Sequence, residues 1–228
     1  MPTIRYCRTS AGRIAYSTVG AGPPLLCDSG WVTHLRGQLE LFSFGSFVER
    51  LAERFTVIRY DKPGCGLSDR DGIDLSFDGQ VAAALAVADA VRADRFCLFG
   101  ASQGGQLAAA IAAKHPDRVQ ALVLYGMCAS GADLAPPEVR NSIVALMRAH
   151  WGLGSKVLTG IFVPDPPPRT SRRCCGFSEP APRPPWPAGS SRSTTTPTSG
   201  RCSPRSGRGR RYCTVRRTAP HVSSWGER

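Results

Sequence analysis

The feature that most constrains this chain is a junction. A short apolar segment, Arg95-Phe96-Cys97-Leu98-Phe99, runs straight into Gly100-Ala101-Ser102-Gln103-Gly104-Gly105. An alanine-rich stretch from Gln106 to His115 follows at once. Apolar β-formers before a Gly-x-Ser-x-Gly and helix-formers after it predict a sharp strand-to-helix turn. Such a bend lifts the serine hydroxyl clear of its own backbone, as attack on a carbonyl requires. The small residues Gly100 and Gly104 let strand and helix pack closely around it. The start of the helix then aims backbone N–H groups at any oxyanion that develops there.

The flanking pattern fits that junction into a larger fold. Arg5 to Thr9 and Arg13 to Val19 read as a two-stranded hairpin across Ser10-Ala11-Gly12. Pro24-Leu25-Leu26-Cys27 reads as a short buried strand ending in Asp28-Ser29-Gly30-Trp31. Leu39 to Arg54 carries Leu41, Phe44, Phe47, Val48 and Leu51 at helical spacing. Phe55 to Tyr60 is a β-branched and aromatic strand, broken by the loop Asp61-Lys62-Pro63-Gly64-Cys65-Gly66. Ser76 is placed to cap a long helix through Val91, with Asp78 in its first turn. A helix over 103–114, a strand over Ala121–Leu124 and an amphipathic helix over Glu138–Trp151 complete the alternation. Strands alternating with helices predict an α/β fold, a mostly parallel, doubly wound sheet with an antiparallel N-terminal edge.

Composition divides the chain near residue 165. The whole carries a net charge of +12, but residues 1–165 are almost balanced, whereas residues 166–228 hold 13 Arg, no Lys and two acids. The basic character therefore belongs to the tail and says little about what the front part binds. Residues 166–228 also lack Leu, Ile and Met and hold 11 of the 19 prolines. Such a segment buries too little apolar surface to offset a chain entropy of about 1–2 kcal/mol per residue, and it is expected to be disordered. The domain reading is a folded unit over 1–165 and an Arg/Pro/Ser-rich tail over 166–228.

The tail's charge would attract polyanions non-specifically, and no specific nucleic-acid motif accompanies it. The start Met1-Pro2-Thr3-Ile4-Arg5 lacks the apolar core of a signal peptide, and no segment reaches about 18 consecutive apolar residues, so a cytoplasmic protein without a membrane span is expected. The nine cysteines have neither disulfide nor zinc-like spacing, so neither a metal nor another cofactor is expected.

Four segments together resemble the α/β-hydrolase superfamily over roughly residues 10–160, in the family's own order. Asp28-Ser29-Gly30-Trp31 resembles the oxyanion segment after the third strand, with Ser29 where the family often has His. Tyr60 through Asp69 resembles the Asp-x-Arg-Gly-x-Gly-x-Ser loop. Gly100 to Gly105 resembles the nucleophile elbow, and His115-Pro116-Asp117-Arg118-Val119 the link into the sixth strand. The particular forms are similar to hydrolase domains attached to bacterial cyclases and transcriptional regulators. The resemblance implies an esterase-like serine hydrolase acting on a small-molecule acyl substrate. Ser102 would be the nucleophile, and the backbone N–H groups of Trp31 and Gln103 the oxyanion donors.

The family's acid and histidine are expected late in the chain, and nothing in residues 166–228 resembles either. Asp61 reads more readily as a carboxylate ordering its own loop than as the acid; Asp133 is a weaker alternative. Of the histidines, His115 sits at a helix end, His34 lies near the oxyanion segment, His150 ends a helix, and the flanks of His221 are not those of a strand-end loop. The tail also reads as translated out of frame. Codons begun one base earlier and chosen GC-rich turn Thr198–Thr214 into a sequence similar to the lead-in to the family's acid-bearing strand, and Thr218 into Asp. The alternative to an active hydrolase is thus an inactive, truncated or frame-shifted remnant.

Overall fold

The computed structural model describes residues 2–9, 12–41 and 44–162 and the backbone of 211–215. A seven-stranded sheet organises them. Its strands are β1 (Arg5–Thr9), β2 (Gly12–Val19), β3 (Pro24–Asp28), β4 (Thr56–Tyr60), β5 (Phe96–Ala101), β6 (Val119–Tyr125) and β7 (Arg211–Val215), in the spatial order β1-β2-β4-β3-β5-β6-β7. The β1–β2 and β2–β4 pairs are antiparallel; from β4 to β7 every pair is parallel. The helices are α1 (Phe44–Ala52), α2 (Phe77–Ala90), α3 (Gln103–Lys114), α4 (Pro137–Ala149) and α5 (Trp151–Phe162).

Side-chain alternation explains why the inner strands read as unbroken apolar runs. Successive residues of a strand point to opposite faces, and both faces here are covered. On one face Leu26, Ile58, Phe96 and Leu98 pack with Val81, Ala84 and Val87 of α2 and Leu107, Ala108 and Ile111 of α3. On the other, Leu25, Cys27, Val57 and Phe99 pack with Val48 and Leu51 of α1. The Cys27 thiol is so enclosed that burial pushes its pKa up to about 12.

The expected elements are present with shifted ends. The hairpin and the strand over 24–28 stand as read. The helix expected over 39–54 divides into a 3-10 turn at Gly37–Glu40 and α1. Ser76 caps α2 as its position predicts: the Gly79 N–H donates to its Oγ at 3.0 Å, with Asp78 in the first turn. Helix α5 was not evident in the sequence pattern, because its three glycines interrupt helical propensity. The other difference is β7. It lies in the tail expected to stand outside the fold, yet it pairs with β6 from Ala121↔Arg211 to Tyr125↔Val215. The edge of β6 offers unpaired N–H and C=O groups, and a partner strand satisfies them without needing an apolar pattern of its own. The rest of the tail, and His221 and Thr218 with it, lies outside the described residues. No described helix is long and apolar enough to cross a membrane.

Phe96, at the start of β5, is fully buried, and the Arg118 guanidinium lies 5.3 Å from its ring centre. Phe96→Ala is expected to lower the unfolding free energy by about 3–5 kcal/mol, read from urea denaturation followed by far-UV circular dichroism.

Candidate active site

Ser102 sits where β5 turns into α3, with φ 51° and ψ −127°. Among the described residues, only Arg92 and Ser102 are non-glycine residues with positive φ. A side chain held in such a conformation costs on the order of 1–3 kcal/mol and persists only where the surroundings fix it. Two hydrogen bonds do so: the Ser102 N–H donates to the Tyr125 carbonyl at the end of β6 at 2.9 Å, and the Gly105 N–H donates to the Ser102 carbonyl at 2.9 Å. The serine is exposed, and its side chain does not cap the helix it precedes.

The two elbow glycines are required by proximity. A Cβ on Gly100 would lie 2.6 Å from the Gly104 carbonyl oxygen and 2.7 Å from the Ala108 Cβ. A Cβ on Gly104 would collide with the carbonyl and carboxylate oxygens of Asp28. The first turn of α3 therefore rests directly on the end of β3. Asp28 pairs with Gly100 across β3–β5, which puts the loop carrying Trp31 and the elbow carrying Ser102 and Gln103 on neighbouring inner strands, both at the C-terminal edge of the parallel strands.

Beneath that edge lies a buried polar network that the motif reading did not single out. The Lys62 ammonium lies 3.0 Å from Asp28 Oδ1, both side chains being about 95% buried. Tyr60 donates its hydroxyl to Asp28 Oδ2 at 2.7 Å, and burial, followed by the Asp28 charge, holds that phenol well above its usual range. The Gly30 N–H points to Asp28 Oδ1 at 3.4 Å. Lys62 also donates to Gln103 Oε1, and Gln103 Nε2 donates to Gln80 Oε1 at 3.4 Å. A signal was present in the sequence: Asp28 ends an otherwise apolar strand, and a charge there demands a partner. Its partner is 34 positions away in the sequence, and nothing local names it.

The remaining candidates are positioned as follows. Asp61 is fully buried and orders its own loop: the Leu67 N–H donates to its Oδ2 at 2.8 Å, Ser68 Oγ donates to its carbonyl at 2.6 Å, and a Cβ on Gly66 would strike the carboxylate. Burial pushes the Asp61 carboxyl up, offset in part by the Leu67 N–H and the charges of His34 and Arg59. Asp133 closes a capping box with Ser130. His34 Nδ1 accepts the Gly37 N–H at 3.3 Å, and His150 Nδ1 the Leu153 N–H at 3.1 Å. His115 is the C-cap of α3, about 20 Å along the helix from Ser102. Among the described residues no group of three or more His, Cys, Asp or Glu is arranged to hold a metal.

Two outcomes are expected. Gly104→Ala should cost about 1–3 kcal/mol of stability through overpacking against Asp28, measured by urea denaturation. Asp61 gives a pH effect whose sign follows from its raised pKa. Just above the ordinary carboxyl range the folded chain keeps a proton that the unfolded chain has lost, so this group makes stability fall as pH rises. Asp61→Asn should remove that contribution. The variant's stability relative to the unaltered protein should therefore improve from about pH 4 to pH 7, read from paired urea midpoints.

Comparison with known proteins bears on the fold. Residues 23–150 match the family described as alpha/beta hydrolase fold. Among curated proteins none matches the chain in sequence. A Pseudomonas aeruginosa protein provisionally named an epoxide hydrolase superposes with a TM-score of 0.61 at 21% identity, covering 78% of this chain and 65% of that one. A membrane phospholipase A, described as a bacterial virulence factor, gives 0.60 at 25%, covering 77% and 57%. An alpha/beta hydrolase from Sphaerobacter thermophilus gives 0.57 at 24%, covering 74% and 64%. The chain thus spans less than two thirds of the length of each of these structures. With the matched family covering more than half of its residues, this chain belongs to the alpha/beta hydrolase fold family.

Proposed function

We propose that the chain is a serine hydrolase that cleaves a carboxylic ester or similar acyl bond of a small molecule through an acyl-enzyme on Ser102. The observation that carries this is the strained, exposed serine at the start of α3. Its hydroxyl would attack the acyl carbon as its proton passes to a base. The carbonyl oxygen then takes negative charge, and the Gln103 and Trp31 N–H groups would receive it, aided by the helix start. Loss of the alcohol leaves an ester on Ser102, which water hydrolyses.

Reaction chemistry favours acyl substrates over epoxides here. Opening an epoxide with a serine hydroxyl would leave an ether on the enzyme, which water does not cleave at neutral pH. An acyl-serine turns over. Among the neighbours, the name phospholipase A is consistent with an acyl substrate.

A second reading, a scaffold without turnover, rests on two observations. The three described histidines are engaged in helix caps and turns. In addition, β7 overlaps the stretch whose shifted reading resembles the lead-in to the family's acid-bearing strand. Without a base Ser102 is a poor nucleophile at neutral pH; serine proteases stripped of their triad keep only about 10³–10⁴-fold catalysis over water.

The two readings separate on labelling with a fluorophosphonate and hydrolysis of a nitrophenyl ester, each compared with Ser102→Ala. The serine-hydrolase reading expects labelling and hydrolysis that the substitution abolishes. Equal labelling of both proteins removes Ser102 from the mechanism, and no labelling of either supports the scaffold without turnover.

A further inference from the structure

The buried Asp28–Lys62 pair has no part in the attack on a substrate, yet it touches both backbone segments that carry the oxyanion donors. On the loop side, Asp28 Oδ1 receives the Gly30 N–H at 3.4 Å, one residue before Trp31. On the elbow side, the Asp28 oxygens fill the place a Cβ on Gly104 would need, and Lys62 ties down the side chain of Gln103. Lys62 is itself fixed to the loop, since its backbone N–H donates to Thr33 Oγ1 at 2.8 Å. Resting on the proposed role of Gln103 and Trp31, we infer that Asp28 and Lys62 are positioning residues: together they form a charge-neutral clamp that sets the spacing between the two oxyanion donors.

Electrostatics explains why the clamp needs both members. A carboxylate against the first turn of α3 is favoured by the helix dipole, but left alone it would oppose the negative charge that the elbow must accept during acyl transfer. The Lys62 ammonium at 3.0 Å cancels that charge while leaving the carboxylate free to hold Gly30 and Tyr60. The pair also gives a physical reason for two features of the sequence, an aspartate ending an apolar strand and a lysine following Asp61.

The test uses the full chain with Lys62→Met and the double variant Asp28→Asn/Lys62→Met. Hydrogen exchange followed by mass spectrometry needs no activity. Both variants are expected to exchange faster in peptides covering 28–36 and 100–107 together, with peptides of β1 and β2 unchanged. The double variant leaves no unpaired buried charge, so its thermal midpoint should recover toward that of the unaltered protein. Its fluorophosphonate labelling should nevertheless stay about 10- to 100-fold slow, as expected for misplaced donors. A double variant that regains full labelling, or exchange that rises in only one of the two segments, overturns the clamp. If the unaltered chain takes no label, the serine-hydrolase reading fails, and exchange alone decides the clamp: coupled loosening upholds it and uncoupled loosening refutes it.

Discussion

Everything around Ser102 depends on one close approach, that of the first turn of α3 to the ends of β3 and β5. Helices usually stand off a sheet by the bulk of their side chains. Here Gly100 and Gly104 remove that bulk, and backbone meets backbone. The approach forces Ser102 into a positive-φ conformation and at the same time leaves its side chain exposed. The strain and the presentation of the serine are two results of the same contact.

That contact is bearable because the surrounding sheet is packed on both faces. The inner strands are buried on both faces, with α2 and α3 against one and α1 against the other. The hydrogen bond from Ser102 to Tyr125 ties the elbow to β6 as well as to its own strand. Beneath it the Asp28 carboxylate satisfies a phenol, an ammonium and a backbone N–H in a region closed to water. A buried charge in such a place stabilises little by itself, and its partners confine it to one geometry.

Legibility in the sequence followed the range of the interactions. The elbow was readable because strand, turn and helix are contiguous and each has its own residue preferences. The Ser76 cap was readable because a cap and its helix lie within four residues. Helix α5 escaped because its glycines mask a helix that is held by packing on α4. Strand β7 escaped because backbone pairing with β6 leaves no mark on side-chain composition. For Asp61 the preferred reading as a loop carboxylate was available from its own turn, and the Leu67 N–H that donates to its Oδ2 agrees with it.

The sequence by itself determined that this chain builds an α/β sheet with a serine on a strand-to-helix bend, since periodicity and glycine placement act over a few residues. It also located the Arg-rich charge in residues 166–228. Only the tertiary structure decided that Asp28, Tyr60, Lys62, Gln80 and Gln103 form one network under that serine. Those residues come from four separate places in the chain, and a buried charge finds its partner through space. No local pattern encodes that choice.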